Sequence, residues 1–439
     1  MNLIRVHNRL VILISLWVLC LMLSMQANAV LTIKITGGTV GATPIAIVPY
    51  EWQGMDAMPL LQPWKVVSAN LLRSGRFKPL PEEDMLAKPG AESSINFADW
   101  RLIGAEYLVA STMRELGHQK YEIEFVVYDV FRARPLKKYT FPTTAKNLRA
   151  TAHAISDAIY QLLTGQPGDF STRIAYVEVE KLNGGLRYRL QVADADGFNP
   201  QTVLESPEPI LSPAWSADGR NLAYVSLENR YAEIFIQELA TGQARRLARY
   251  KGLNGAPSWS PDGRQLALTL SKDGNAEIYV MDLSNQSLRR LTKHYAIDTE
   301  PTWTPDGKHI AFLSERGGKP QIYMISAKGG SVRRMTFEGD YNSEPTFSRD
   351  GKKMAFVHGS QGKFRIAVMD IETGVMQILT DSNLDESPSF SPNGNMILYA
   401  TNLQQQGILA AVSTDGRVKQ QLATQQGDVR EPAWSPYRK

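Results

Sequence analysis

The sequence predicts a small α/β domain followed by an all-β, six-bladed β-propeller that the C-terminal strand closes. Three observations carry that expectation. A seven-residue motif returns at intervals of 43 or 44 residues from position 213 onward. Each interval holds four short strand-like runs separated by Gly, Asp and Asn, the pattern of a propeller blade. The array also begins and ends on incomplete repeats that complement one another. A chain of 439 residues is long enough for two separate cores, and its 43% hydrophobic and 21% charged residues are those of an ordinary globular protein.

In chain order, residues 1–29 read as a secretory leader. Arg5 and Arg9 precede an almost unbroken apolar run from Leu10 to Met25, and Ala27-Asn28-Ala29 is a small-residue cleavage site. Ser15 and Ser24 interrupt the run, which is shorter than a membrane span needs, so no span is expected in the mature chain. The single cysteine, Cys20, lies inside the leader. The exported chain is therefore expected to fold without a disulfide and to carry no thiol chemistry. Without the leader, 46 basic residues face 44 acidic ones, a balance that argues against a nucleic-acid partner.

Residues 30–168 form the expected α/β domain. Strand-like runs occur at 31–36, 45–50, 107–113 and 121–131. Helical periodicity places Leu61, Trp64, Val67, Ser68, Leu71 and Leu72 on one face of a helix over 60–72. A second helix over 148–163 has Ile155, Ala158, Ile159 and Leu162 as its stripe, and Gly165-Gln-Pro-Gly168 ends it. Trp52, Trp64 and Trp100 read as core packing.

Residues 169–439 form the expected propeller. The motif is Pro-x-aromatic-Ser/Thr-x-Asp-Gly, as in Pro213, Trp215, Asp218 and Gly219, and its prolines stand at 213, 257, 301, 345, 388 and 432. Each motif precedes a β-branched and aromatic run such as Leu222-Ala-Tyr-Val-Ser226, then a run such as Glu277-Ile-Tyr-Val-Met-Asp282, then a short basic run such as Arg289-Arg-Leu-Thr292. The motif strand suits the crowded inner position, and the arginine-rich strand suits the rim, where charge deters edge-to-edge pairing. Asp-Gly supplies the turn between them. The run at 173–177 has no motif before it, and Pro432-Ala-Trp434-Ser435 has no strands after it. Joining the two completes a sixth blade.

Enzymatic motifs are not found. There is no Gly-x-Ser-x-Gly elbow, and His118, His153, His294, His309 and His358 share no register that would make a ring of ligands. Gly37-Gly38-Thr39-Val40-Gly41 lacks the lysine of a phosphate loop. No catalytic residue, metal or cofactor is therefore expected. A hydrolase or lyase acting on sugars or peptides, and a ligand sensor, are the competing classes.

The connections that lead into the motif strands end beside the channel mouth. Glu300, Glu344 and Glu431 directly precede the motif proline, Glu386 lies one residue earlier, and the first two blades carry Ser212 and Ala256 instead. Two readings stand side by side: a lopsided acidic ring that meets a partner, or carboxylates that cap local N–H groups.

The mature chain resembles the TolB family, periplasmic proteins of the Tol–Pal cell-envelope system. The resemblance rests on Ile45-Ala-Ile-Val-Pro-Tyr50, Gly252-Leu-Asn-Gly-Ala-Pro257, Thr299-Glu-Pro301, Leu384-Asp-Glu-Ser-Pro388 and Pro432-Ala-Trp-Ser-Pro-Tyr437. It implies a monomeric adaptor whose propeller face binds the lipoprotein Pal, with Asn254, Ala256, Thr299, Glu300, Glu344 and Glu386 as the facing residues. It also implies that the mature N-terminus, Val30, Leu31, Thr32, Ile33, Lys34 and Ile35, engages TolA. Other outer-membrane proteins are further candidate partners. Arg349 and Tyr437 depart from the repeat consensus, and both fall at a hairpin turn.

Overall fold

The computed structural model describes residues 34–36, 41–182, 184–422 and 427–437. The leader with Cys20, and Val30 to Ile33, lie outside the described residues. Among the described residues no helix is long and apolar enough to cross a membrane.

The first domain is one mixed sheet. Thr43–Ile47 pairs in parallel with Phe77–Pro79 and with Tyr107–Gly117, and Lys120–Asp129 and Arg134–Thr144 extend the sheet antiparallel. Period-2 alternation sorts its side chains to two faces. Ile45, Ile47, Val109 and Phe125 meet helices Pro63–Arg73 and Leu148–Thr164, while Ala46, Leu108, Val126 and Tyr128 meet Trp100 on helix Phe97–Leu102.

Pro63 opens the first helix, where its missing N–H costs nothing, so the helix starts three residues after the expected position. Gly165 ends the last helix in the left-handed conformation at φ 75°. Strand Arg134–Thr144 carries Pro135, Lys137, Lys138 and Pro142. That composition hides it in a sequence reading and protects it as an edge.

The propeller has six sheets, and its inner strands are Ile210–Trp215, Asn254–Trp259, Asp298–Trp303, Tyr341–Phe347, Asp385–Phe390 and Asp428–Trp434, which belong to blades one to six in that order. The expected strand order holds: motif strand innermost, arginine-rich strand outermost. Asp428–Trp434 pairs antiparallel with Arg173–Leu182, so the tail of the chain closes blade six as expected. Neighbouring blades are joined through the motif aromatics. Trp215 Nε1 donates to Ala433 O at 3.0 Å and Trp259 Nε1 to Ala214 O at 3.1 Å, while Trp434 Nε1 donates at 2.8 Å to Thr172 Oγ1, at the start of its own blade six.

Each Asp-Gly turn is tied by its own side chains. In blade two, Ser260 Oγ donates to Asp262 Oδ1 at 2.6 Å, and the same oxygen accepts from Arg264 N at 3.0 Å. Those two hydrogen bonds hold the Asp262 carboxyl below the usual range. The motif Asp and Gly therefore build turns.

The first domain meets the propeller at the end that carries these turns. Arg73 NH1 donates to Ala195 O at 2.6 Å, Arg149 bridges Asp194 and Asp196, and Asn395 Nδ2 donates to Tyr160 OH at 3.2 Å. Lys34–Thr36 pairs with Lys419–Gln421 as a fifth strand on the outer edge of blade five. The opposite end of the propeller carries the blade-to-blade connections.

Candidate functional site: the connection end of the channel

A cavity of about 840 Å³ lies on the propeller axis, lined by the six inner strands from the residues before the motif prolines to the motif turns. Each inner strand slips its register at the motif proline, leaving a bulge of two residues. The proline has no N–H to give a ladder, which within a sheet confines it to an edge or a bulge, and the bulge sets the backbone of the residue before it. In all six blades it adopts left-handed φ: Ser212 52°, Ala256 45°, Glu300 55°, Glu344 51°, Ser387 54° and Glu431 50°. This conformation costs a non-glycine residue about 1–2 kcal/mol, and here it recurs with sixfold regularity. The bulge places these residues along the channel wall.

This register corrects one expectation. Glu386 does not share the position of the other acids; Ser387 does. Glu386 pairs across the ladder with Ala400, as Thr299 does with Leu313, so it lies one step away along its strand. The ring at the common register is Ser212, Ala256, Glu300, Glu344, Ser387 and Glu431.

The three ring carboxylates link blades. Glu300 Oε2 accepts from Glu344 N at 2.8 Å, Glu344 accepts from Ser387 N, and Glu431 accepts from Ser212 N across the closure of the ring. Both readings of the acids thus have a basis: each caps a neighbour's N–H, and each still lines the channel. Loss of solvation raises the Glu300 and Glu344 carboxyls, and like charge adds to the effect on Glu344. Burial pushes Glu431 up to about 7, with Glu386 adding to it and Ser212 N and Arg430 opposing it.

The other expected residues are placed differently. Asn254 is 1% exposed, and its side chain accepts from Tyr250 N and donates to Tyr250 O, both at 2.8 Å, so it shapes the connection and presents no surface. Thr299 and Ala256 are half-buried at the mouth. Lys34 and Ile35 sit in the added strand on blade five.

Sequence reasoning missed an apolar arc around the mouth. Leu253, Tyr295, Ile297, Phe337 and Leu384 lie in four successive connections, with exposures from 44% to 86%. Tyr295 stacks on His294 at 4.2 Å, Phe337 lies under the Arg334 guanidinium at 5.1 Å, and Asn275 Nδ2 braces the backbone at His294 O and Ala296 O. A repeat signal was available: Leu253, Ile297, Tyr341 and Leu384 each directly precede the first polar residue of an inner strand.

Among the described residues, the one group with metal-ligand spacing is His153, Asp194 and Asp196, where the domains meet. It does not suit a cation. Arg149 already bridges both aspartates, and Asn70 Nδ2 lies 2.9 Å from His153 Nδ1 while its Oδ1 accepts from Arg73. His153 Nε2 faces the two carboxylates at 3.7 and 4.0 Å.

Comparison with known proteins agrees with the architecture. Residues 160–438 match the family described as TolB beta propeller domain, and residues 31–136 match the TolB amino-terminal domain. A Tol-Pal system protein TolB of Nitrosococcus oceani is 62% identical over 409 residues, covering 93% of this chain and 94% of its own. The protein of the same name from Marinomonas sp. is 62% identical over 421 residues, covering 95% and 97%. The crystal structure of TolB from Acinetobacter baumannii superposes with a TM-score of 0.85 at 44% identity, covering 92% of this chain and 99% of that one.

Proposed function

The chain belongs to the TolB family, and from that premise we propose that it is a periplasmic, non-enzymatic adaptor of the Tol-Pal system, exported by its leader and divided into two domains near residue 168. Its propeller binds Pal at the connection end of the channel, and its N-terminal segment Val30 to Ile35 engages TolA. The assembly maintains outer-membrane integrity and supports cell division. The observation that carries the reading is the ring of six left-handed pre-proline residues, a strained and regular mouth held rigid by blade-to-blade hydrogen bonds. Rigidity of this kind lowers the ordering cost of docking. Exposed apolar side chains around the same mouth supply contact area. The pairing of Lys34–Thr36 with an outer edge supports the view that the N-terminal segment is strand-forming and can add to a partner's sheet.

Titration with the soluble domain of Pal tests the first contact. Glu300→Lys is expected to weaken binding at least about tenfold, through lost complementarity at the mouth. An unchanged dissociation constant would reduce the ring to an internal brace. For the second contact, deletion of residues 30–35 is expected to abolish TolA binding and to leave Pal binding intact.

A further inference from the structure

Resting on that reading of the mouth, we propose that the docking face is electrically two-sided along its apolar arc and admits its protein partner in one orientation. The connections leaving blades one and two, residues 249–253 and 293–297, carry Arg249, Lys251 and Lys293 and no acid. Those leaving blades three and four, residues 337–340 and 381–384, carry Glu338, Asp340 and Asp381 and no base. Lys251, Lys293, Glu338, Asp340 and Asp381 are all exposed. Arg249 is drawn to Glu233 at 3.0 Å, Asp340 to Lys319 at 2.5 Å and Asp381 to Lys419 at 3.1 Å. Lys251, Lys293 and Glu338 make no ion pair among the described residues.

The apolar anchors lie between and among these charges. Leu253, Tyr295 and Ile297 accompany the basic pair of connections, and Phe337 and Leu384 accompany the acidic pair. Tyr295 and Phe337 rest against His294 and Arg334, contacts that narrow their freedom and lower the side-chain entropy lost on burial. Such pre-ordered aromatics are the residues that become binding hot spots, while flanking charges set partner choice and direction.

The partner that fits is a folded protein whose contact strip is apolar at its centre. It is acidic where it meets Lys251 and Lys293, and basic where it meets Glu338. Turned around, it would set like charges against each other at both ends of the arc.

Isothermal titration of the full mature chain with the soluble domain of Pal tests this. Tyr295→Ala and Phe337→Ala are each expected to weaken binding by about tenfold or more, with the melting temperature unchanged because both side chains are exposed. Lys293→Glu and Glu338→Lys are each expected to weaken it about threefold to tenfold at low salt, and less at high salt. The double variant Lys293→Glu, Glu338→Lys restores net charge and reverses the polarity. It is expected to bind worse than either single variant, and recovery to wild-type affinity overturns the proposal. Binding by wild type with no loss in any of these variants also overturns it and leaves the adaptor reading in place. Failure of wild type to bind overturns the adaptor reading itself.

Discussion

At the turn end of the propeller Asp196 sits against Arg73, Arg149 and His153, whereas at the connection end Glu344 sits among Glu300, Glu386 and Glu431. Both are carboxylates removed from water, and the surroundings decide what each becomes. Burial raises Asp196, but the three basic side chains outweigh it and hold the carboxyl below the usual range. Burial also raises Glu344, and there the neighbouring acids push it further. The first arrangement fastens two domains together. The second is a group of acids without enough opposing charge, each of the three ring members instead holding a backbone N–H of the next blade. Asp169 is the exception at the turn end. It is pushed up to about 6 by burial, and Arg73 opposes the shift only in part.

The largest way to break the comparison is at the turn end. Arg149→Ala leaves Asp194 and Asp196 desolvated and removes the guanidinium that lies 4.1 Å from the Phe198 ring. It is expected to destabilise the protein by about 3 kcal/mol in urea unfolding, with the first domain loosened from blade six. A loss below about 0.5 kcal/mol would mean that the cluster carries no more than a surface ion pair.

Next in size is the opposite pH dependence of the two ends. Glu431, at about 7 in the folded chain, keeps a proton that the unfolded chain has already lost between about pH 4.5 and 7. Stability from this group is therefore fully present below the lower value and falls as pH rises to the upper one. The change is about 3 kcal/mol at most, since a tenfold difference in proton affinity between the folded and unfolded chains is worth about 1.4 kcal/mol. Asp196 has the reverse sign: its contribution is present above the unfolded value of 3.8 and is lost as pH falls through its lowered folded value. Glu431→Gln is expected to flatten the decline between pH 5 and 7 and to leave the acid limb unaltered. Asp169 retains a smaller slope of the same sign as the ring. Urea midpoints at pH 4, 5, 6, 7 and 8 separate these contributions.

The two ends also differed in how far the sequence alone disclosed them. Spacing of Pro213, Pro257, Pro301, Pro345, Pro388 and Pro432 was enough for six blades, their strand order and the closure, because each blade repeats the same local chemistry. Spacing also pointed to the acids at the mouth, but it could not set their register. Glu386 stands one residue out of step in the sequence, but only the bulge, which counts two residues against one, shows that Ser387 and not Glu386 takes the conformation of the ring. The interdomain cluster had no linear signal at all. Asn70, Arg73, Arg149, His153, Asp194 and Asp196 come from two helices and a turn, and only packing brings them together.

The smallest expected effect is the sharpest test of that register. In the ring, Glu300, Glu344 and Glu431 each hold an N–H of the next blade, and among the described residues Glu386 makes no such bond. Burial still raises the Glu386 carboxyl, with Asp428 adding to the shift and Arg430 opposing it. Glu386→Gln should then change stability by less than about 0.5 kcal/mol at pH 5, where its neighbours hold their protons. At pH 8 it should be mildly stabilising, because it removes a like charge that acts on both Glu344 and Glu431. A loss at pH 5 as large as that of Glu344→Ala, which removes the acceptor of the Ser387 N–H, would mean that Glu386 braces the mouth as the ring acids do. Equal stability at both pH values would mean that its charge does not reach them.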